Sequence, residues 1–246
     1  MTLTGKAAIV TGGRRIGAVV ASTLGARGMD VAVSYQRSRG TAERVVTEIE
    51  SCGRRGVAIA ADLSRPEACA ALVEEAAASF GRLDVLIHLA SVYVRRGLAA
   101  TDTAAWDAVM GVDLRAAFLC AQAAIPHMRA AGGGRIVNVS DWVAASGRPR
   151  YSGYLPYYVA KRAVIGLSKS LALEVAPEGI FVNTVAPGPI IPPDGSTAEH
   201  IASVEAATPI GRWGGAEAIA SAVVFCLESD FMTGETIRVD GGRHVR

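Results

Sequence analysis

Lysine and net charge are both scarce in this sequence of 246 residues. Only three of its 25 basic residues are lysines (Lys6, Lys161 and Lys169), and the formal net charge is +2. A chain with so small an excess of charge has no general electrostatic field that would attract nucleic acid or an anionic membrane surface. The sequence therefore predicts no nucleic-acid partner and no membrane partner.

Cysteine occurs only four times, at Cys52, Cys69, Cys120 and Cys226. No two of these residues form a CxxC pair and their spacing matches no zinc-binding pattern, so no metal site is predicted. Reduced thiols in a cytosolic protein are the expected state. The first residues do not combine a charged leader with an apolar segment, and no apolar run is expected to cross a bilayer. We therefore expect a cytoplasmic protein.

What the sequence does contain is an alternation of two patterns. Short, almost uniformly apolar runs bounded by Gly, Asp or Ser are typical of parallel strands that are covered on both faces. They lie at Ala7–Thr11, Asp30–Ser34, Gly56–Ala60, Val85–Leu89, Arg135–Val139, Phe181–Val185 and Glu235–Val239. Helical patterns separate them, at Gly17–Gly28, Thr41–Cys52, Pro66–Phe80, Thr103–Ala131, Tyr157–Ala176 and Ala216–Leu227. This order predicts an α/β fold: a single doubly wound Rossmann-type domain over residues 1–246, with a parallel seven-stranded sheet and helices on both faces.

One stretch, Gly188–Ser203, fits neither pattern. Pro189, Pro192, Pro193 and Gly195 interrupt it, and these residue types break both helices and strands. We therefore expect a mobile loop here. Loops of this length in compact domains are more often functional than structural.

Glycines are concentrated between the first strand and the first helix, in the segment Thr11-Gly12-Gly13-Arg14-Arg15-Ile16-Gly17. Glycine permits a tight turn and lets the backbone approach a pyrophosphate, while the following helix N-terminus supplies N–H groups and a partial positive charge. A glycine cluster alone is a weak signal, but the first strand–helix junction is where a dinucleotide site needs it. A dinucleotide is expected to contact Gly12, Arg14, Arg15, Ile16 and Gly17.

The second predicted strand is followed by Tyr35-Gln36-Arg37-Ser38. An NAD-selective site places an acidic residue at this point to accept hydrogen bonds from the ribose hydroxyls. This segment has no acidic residue, whereas Arg37 and Ser38 suit a 2′-phosphate. NADP(H) is therefore the predicted cofactor, and a solvated surface arginine is the alternative interpretation of Arg37.

The order and spacing of further motifs resemble the short-chain dehydrogenase/reductase family over essentially the whole chain. The motifs are the glycine turn, Asp62-Leu63, Tyr157-Tyr158-Val159-Ala160-Lys161, Asn183, Pro187-Gly188 and the terminal Arg238-Val239-Asp240-Gly241-Gly242. The resemblance implies additional cofactor contacts from Asp62, Leu63, Ala90, Ser91, Tyr157, Lys161, Pro187, Gly188 and Ile190.

Tyr157 and Lys161 are four residues apart, which places them on one face of a helix. The resemblance implies that Tyr157 donates a proton, while Lys161 holds the nicotinamide ribose and tunes Tyr157. A phenol has an ordinary pKa of about 10, and a neighbouring ammonium lowers that pKa. The alternative is an ordinary pair on an amphipathic helix, but the rarity of lysine favours a chemical role, because arginine lacks a compact, tunable charge.

The sequence departs from the family where a catalytic serine is usual. Three residues after Asn138 stands Asp141, with Ser140 just before it. Aspartate at this place, like Arg15 in the glycine turn, is similar to the pteridine-reductase-like subgroup. A carboxylate suits a substrate nitrogen that gains positive charge. The alternative is that Ser140 takes the serine role and Asp141 caps the loop.

Two other departures replace asparagines of the family. Asp113 stands where an asparagine helps to hold a water near the active lysine; it accepts hydrogen bonds from the same partners and adds a charge. His88 ends the fourth strand, and a buried structural histidine is preferred over a proton relay. The predicted catalytic residues are Tyr157, Lys161, Asp141 and Asp113.

These residues predict an NADPH-dependent oxidoreductase that transfers hydride to a small-molecule pterin-like or C=N substrate. Two alternatives stay open, because fold alone does not choose between them. One is a carbonyl reductase or alcohol dehydrogenase of the same family, such as the 3-oxoacyl-carrier reductase type, in which Ser140 is essential. The other is a regulatory protein that binds NADPH without turnover. The resemblance further implies a homotetramer, or a homodimer, formed through Thr103–Ala131 and Tyr157–Ala176.

Overall fold

Seven parallel strands form the centre of the chain in the computed structural model, which describes residues 1–245. The strands are β1 Ala7–Thr11, β2 Asp30–Tyr35, β3 Gly56–Ala60, β4 Val85–His88, β5 Gly134–Val139, β6 Ile180–Pro187 and β7 Thr236–Val239. Their order across the sheet is β3-β2-β1-β4-β5-β6-β7. The strands β2 and β3 therefore lie on one side of β1, and β4 to β7 lie on the other. The predicted fold class is confirmed.

Helices cover both faces of this sheet. They are α1 Ile16–Ala26, α2 Arg39–Ser51, α3 Pro66–Phe80, α4 Thr103–Val109, α5 Ala116–Ala130, α6 Trp142–Ser146, α7 Leu155–Val175, α8 Ala198–Ala206 and α9 Ala216–Glu228. The helices α1, α2 and α9 pack on one face, and α3, α5 and α7 pack on the other.

The strands are apolar throughout because each of their faces belongs to a separate core. Successive side chains of a strand point to opposite faces. Ile9 and Leu86 therefore join the core under α3, α5 and α7, whereas their neighbours Val10 and Ile87 join the core under α1, α2 and α9. Burial on both sides is the reason that the strands show no polar alternation.

The predicted loop Gly188–Ser203 was too long, because its last residues belong to α8. The Thr197 side chain caps this helix by accepting a hydrogen bond from the His200 N–H at 3.2 Å. A threonine cap is a readable sequence signal, but the prolines before it dominated the pattern. The short helix α6 was also not predicted, and it begins directly after Asp141.

The predicted helix Thr103–Ala131 is interrupted by a π-helical turn. Between α4 and α5 the residues Met110–Arg115 form i→i+5 geometry, and Asp113 lies in this turn. Such turns occur mostly inside α-helices and often at functional sites. The turn is buried against α7, so it presents Asp113 to that helix.

The expectation that no apolar run reaches membrane-spanning length was wrong. The continuous helical segment Thr103–Ala130 has a mean hydropathy of 1.5 over its most apolar window, which meets the length and composition of a spanning helix. Half of that window is buried inside the protein, and α5 packs against α3 and β4. Its apolar side chains are those of a helix that contributes to the core.

Candidate active site

The carboxyl ends of the central strands meet at one edge of the sheet. Thr11 ends β1, His88 ends β4, Val139 ends β5 and Pro187 ends β6. The strand order reverses between β1 and β4. In open α/β sheets, ligands bind outside the carboxyl ends of the strands at this kind of reversal.

Glycine is required in the turn between β1 and α1. Gly12 has φ +76°, and a Cβ atom on it would lie 3.0 Å from the Ala90 backbone nitrogen. A Cβ atom on Gly17 would lie 2.0 Å from the Gly12 carbonyl oxygen. The turn therefore closes tightly against the loop after β4, as a dinucleotide-binding turn must.

A cavity of about 380 Å³ opens beside this turn. Its walls include eight of the predicted cofactor residues, namely Gly12, Arg14, Arg37, Ser38, Asp62, Leu63, Ala90 and Ser91. The Asp62 carboxylate accepts hydrogen bonds from the backbone N–H and hydroxyl of Ser64, which hold the pKa of that carboxyl below its ordinary value. The site therefore combines a glycine cradle, a fixed carboxylate and an apolar wall, which fit a dinucleotide.

A second cavity, of about 510 Å³, adjoins the first and is strongly basic. Arg14 and Arg37 line both cavities, and Arg39 and Arg44 extend the basic surface along the first turns of α2. Arg39 is paired with the Glu43 carboxylate at 2.7 Å. A cluster of guanidinium groups beside a helix N-terminus attracts phosphate.

The Arg15 side chain points to the loop after β6. Its guanidinium reaches across to the loop after β6, where it donates hydrogen bonds to the carbonyl oxygens of Ile191 (3.2 Å) and Pro192 (2.6 Å). Arg15 also has φ +49°, which a residue with a Cβ rarely adopts. These hydrogen bonds attach the loop after β6, which the sequence predicts to be mobile, to the glycine turn.

Five other predicted cofactor residues lie outside the wall of the first cavity. Ile16 and Gly17 begin α1. Pro187 makes the last pairing of β6, with Val239, and a Cβ atom on the following Gly188 would lie 2.5 Å from the Asp240 Cα atom. Ile190 is buried in the core under α1, α2 and α9. Gly188 is therefore required for the close approach of the β6 and β7 ends.

Tyr157 and Asp141 contact each other directly. The Tyr157 hydroxyl donates a hydrogen bond to Asp141 Oδ2 at 3.1 Å, while Asp141 Oδ1 accepts from the Val143 N–H at 2.7 Å and so caps α6. The Ser140 hydroxyl faces the other way and donates to the Lys161 carbonyl oxygen at 2.7 Å. Asp141 therefore occupies the place beside the phenol, and Ser140 is buried against the α7 backbone.

Burial determines the proton affinities of this pair. It raises the pKa of the Asp141 carboxyl above its ordinary value, against the opposing effect of the Val143 N–H. Burial, followed by the negative charges of Asp141 and Asp113, raises the pKa of Tyr157 well above its ordinary value. Desolvation and two carboxylates thus outweigh the lowering of the Tyr157 pKa that is expected from the Lys161 ammonium. Tyr157 is thus a neutral phenol that can donate a proton.

Lys161 is held in a fully buried ion pair beneath Tyr157. Its ammonium lies 3.0 Å from Asp113 Oδ1 and donates to the Val139 carbonyl oxygen at 3.0 Å. The ammonium lies 5.7 Å from the centre of the Tyr157 ring. One helix face therefore positions both residues, as the spacing of four predicts.

Asp113 connects this lysine to the loop after β4. Besides Lys161, its carboxylate accepts hydrogen bonds from the Ser91 hydroxyl and from the Val92 N–H, the latter at 2.7 Å. The side chain is fully buried. The π-helical turn thus delivers one carboxylate that neutralises the lysine and fixes the cofactor-side loop.

His88 is a structural residue, as preferred from the sequence. Its ring nitrogens contact the Thr11 hydroxyl at 3.3 Å and the Val112 carbonyl oxygen at 3.2 Å. Burial lowers the pKa of His88 to about 4, so the ring is neutral near pH 7. The Thr11 hydroxyl also accepts from the Leu89 and Ala90 N–H groups. His88 therefore braces the ends of β1 and β4 rather than relaying protons.

An apolar cavity of about 490 Å³ leads to the Tyr157 hydroxyl. Tyr93 and Tyr154 stack in its wall with ring centres 4.6 Å apart and an interplanar angle of 18°, and Tyr93 meets Tyr157 edge-on at 4.8 Å. Tyr93 was not predicted from the sequence. The signal for Tyr93 was its place two residues after Ser91, in the loop that follows β4.

Comparison with known proteins agrees with this arrangement. The family model described as "Enoyl-(Acyl carrier protein) reductase" matches residues 10–244. The chain is 38% identical to the 3-oxoacyl-[acyl-carrier-protein] reductase FabG of Staphylococcus aureus, over 98% of each chain. It is also 38% identical to the short-chain reductase protein NovJ of Streptomyces niveus, over 96% of this chain and 93% of NovJ.

A solved structure shows the same fold in a liganded state. The short-chain dehydrogenase from Burkholderia cenocepacia in complex with NADP has a TM-score of 0.91 and 36% sequence identity, and the match covers 99% of both chains. These matches do not support the pteridine-reductase-like subgroup that Arg15 and Asp141 suggested. They do establish that the chain is an NAD(P)-dependent oxidoreductase and belongs to the short-chain dehydrogenase/reductase family.

Proposed function

We propose that the protein reduces a ketone to a secondary alcohol with NADPH. The observation that carries this proposal is the Tyr157 hydroxyl, which ends an apolar cavity of about 490 Å³ on the carboxyl side of the sheet. The 3-oxoacyl activity in the name of the S. aureus relative supports a carbonyl substrate.

The chain's own residues account for the proton chemistry of this reaction. A bound reduced nicotinamide supplies the hydride that forms the new C–H bond at the carbonyl carbon. The Tyr157 hydroxyl gives its proton to the carbonyl oxygen as the C=O bond becomes single, and solvent restores that proton after release. Lys161, held by Asp113, places a positive charge beneath the phenol and offsets the negative charge that develops on it.

Asp141 replaces the family serine as a hydrogen-bond donor in this proposal. A serine donates to the carbonyl oxygen, and a carboxyl does so only when it is protonated. Burial raises the pKa of Asp141, which favours the protonated form. The carboxyl already lies 3.1 Å from the Tyr157 oxygen, close to where a carbonyl oxygen must receive the proton.

A C=N or pterin-like substrate is the second candidate. The same Asp141 side chain favours it, because a deprotonated carboxylate next to Tyr157 stabilises a nitrogen that gains positive charge. The two candidates therefore differ in the protonation state that Asp141 needs during turnover.

Replacing Asp141 with serine distinguishes the two candidates. For a ketone, we expect Asp141→Ser to retain activity within about tenfold, because a hydroxyl performs the same donation. For a C=N substrate, we expect a loss on the order of 10²-fold, because a charge-stabilising group is removed. NADPH oxidation by both proteins is measured with ketones, a cyclic imine and a dihydropterin.

The pH profile provides a second readout. Protonated Asp141 exists below its raised pKa, so ketone reduction by the unchanged protein falls as pH rises through that pKa. Asp141→Ser removes this fall. Loss of all ketone activity in Asp141→Ser, with imine activity in the unchanged protein, would contradict the ketone proposal.

NADPH is proposed over NADH because Arg37 and Arg14 face both the dinucleotide cavity and the basic cavity beside it. We expect Arg37→Ala to lower the NADPH/NADH ratio of kcat/KM by about tenfold or more, since a hydrogen bond to a charged group contributes about 1.5–3 kcal/mol. The control is Arg129→Ala, which removes a surface arginine paired with Glu178. An unchanged ratio in Arg37→Ala would assign Arg37 to the solvated surface.

We also propose a homotetramer or homodimer in the cytoplasm. Apolar side chains are exposed on α5 and α7, at Phe118, Leu155, Val159 and Leu173, and the last is 82% exposed. Such surfaces on neighbouring long helices suit subunit contacts. Light scattering is expected to give two or four times the chain mass of 25.5 kDa, and Leu173→Glu to lower that mass. A monomer in the unchanged protein would reject this part of the proposal.

A further inference from the structure

The substrate cavity has a carboxyl group at one end and arginines at the other. Asp141 lies at the inner end beside the Tyr157 hydroxyl. Arg96 and Arg150 also line the cavity, and both are exposed, which places them at its mouth. Within the described part of the chain, Asp141 is the acidic residue among the lining side chains, and the charged side chains at the mouth are arginines.

The two arginines stand on loops that are joined to each other. Arg96 belongs to the loop after β4, and its N–H donates to the Gly153 carbonyl oxygen at 2.7 Å. Gly153 belongs to the loop before α7, which also contains Arg150. A Cβ atom on Gly153, which has φ +87°, would lie 3.0 Å from Arg95 Cγ, so the two loops pack closely. Contacts between the two loops therefore place one arginine on each wall of the mouth.

A third guanidinium supports the charge on the Arg150 side. Arg150 and Arg243 both lie 5.2 Å from the centre of the Trp142 ring. Trp142 is buried at the start of α6, directly after Asp141. The ring holds both cations near the cavity from two parts of the chain, by the attraction between a cation and an aromatic face.

The wall between these two ends is flat and aromatic. Tyr93 stacks with Tyr154, and Tyr151 meets Tyr154 edge-on with ring centres 6.5 Å apart. Flat rings of a ligand pack well against such surfaces. A ligand that spans the cavity thus meets Tyr157 and Asp141 first, aromatic rings next and arginines last.

We infer that the substrate is a ring-containing keto acid whose carboxylate, on the far side of the ring from the ketone, pairs with Arg96 and Arg150. This inference rests on the proposed ketone reduction. In the reversed orientation the substrate carboxylate would lie at the inner end of the cavity without a guanidinium partner, and burying an unpaired charge is costly. The arginines at the mouth therefore both select an anionic substrate and direct its carbonyl group to Tyr157.

Binding of matched, non-reducible ligands tests the anion site without turnover. The probes are 4-ethylbenzoate and its neutral analogue 4-ethylbenzamide, titrated calorimetrically into the full chain saturated with NADP⁺. We expect the acid to bind roughly tenfold more tightly than the amide, as a charge-assisted contact provides. The preference should shrink as salt is raised, because the arginines are at the solvent-exposed mouth.

Variants then assign the preference to the two arginines. The double variant Arg96→Gln/Arg150→Gln is expected to bind acid and amide within about twofold of each other. The matched control Arg27→Gln, at the end of α1 and paired with Glu228, should retain the preference. NADPH binding is measured in each variant and should be unchanged, which excludes a loss of fold.

Turnover of 4-acetylbenzoate and 4-acetylbenzamide separates this inference from the proposed function. We expect the acid to be favoured through KM, with similar kcat, and the double variant to remove that advantage. Equal binding of acid and amide, or a preference that survives the double variant, would overturn the anion site while ketone reduction stands. Preferential binding of the acid without reduction of either ketone would keep the anion site and reject ketone reduction.

Discussion

Tyr157→Phe is expected to lower kcat by about 10²–10⁴-fold, the usual contribution of general acid catalysis. The phenylalanine ring keeps the edge-on contact with Tyr93 and its position above the Lys161 ammonium. Within residues 1–245, the hydrogen bond that the variant removes is the donation to Asp141. The effect should therefore appear in the chemical step and leave the cofactor cavity intact.

Single-turnover oxidation of bound NADPH measures that step, and NADPH fluorescence measures cofactor affinity in the same samples. The matched control is Tyr158→Phe, since Tyr158 also lines the substrate cavity and immediately follows Tyr157. Activity of Tyr157→Phe close to that of the unchanged protein would place the proton donor elsewhere. Tight NADPH binding without turnover of any substrate by the unchanged protein would favour the regulatory alternative.

Much of the fold could be predicted because a strand that is buried on both faces appears in the sequence as a short, uniformly apolar run. Strands such as Ala7–Thr11 and Gly56–Ala60 were predicted with their observed bounds, and so was the helix Pro66–Phe80. Helix ends depend instead on single capping contacts. The cap of α8 at Thr197 is one side-chain hydrogen bond, and its signal was weak beside two prolines.

The candidate site was predicted in composition but not in its electrostatics. Spacing identified Tyr157, Lys161, Asp113 and Asp141, all of which the structure brings together. It did not decide between Ser140 and Asp141, because adjacent side chains of an extended segment point in opposite directions, and the direction depends on how β5 meets α7. The raised pKa of Tyr157 also escaped prediction, since burial and two carboxylates from separate elements determine it.

The mouth of the substrate cavity was not predictable for a different reason. Tyr93, Arg96 and Arg150 lie on loops, where no periodic pattern shows the direction of a side chain. Their positions follow from contacts between two loops that are distant in sequence, such as Arg96 to Gly153. Arg15 likewise reaches a loop 176 residues away along the chain. These long-range contacts appear only when the chain is folded.

Asp113→Leu is expected to destabilise the protein by about 3–5 kcal/mol, because it leaves the buried Lys161 ammonium without a counter-charge. The same change removes the acceptor for the Ser91 hydroxyl and the Val92 N–H, which are partly buried donors. The leucine side chain has similar size, so packing alone explains little of the loss. Urea unfolding at a fixed protein concentration gives the free energy of unfolding.

Two further variants separate charge from hydrogen bonding. Asp113→Asn retains an oxygen acceptor for Lys161 but no charge, so its loss of stability should lie between those of the unchanged protein and Asp113→Leu. The double variant Asp113→Leu/Lys161→Met removes both charges and should recover much of the stability that Asp113→Leu loses, although not the activity. The surface pair of Arg129 and Glu178 is the control, where Glu178→Gln should change the free energy of unfolding little, because exposed ion pairs contribute little to stability. A loss of unfolding free energy in Asp113→Leu as small as that of this control would show that Asp113 does not hold Lys161 under Tyr157. The proposed role of the Asp113–Lys161 pair in the proton transfer would then be rejected.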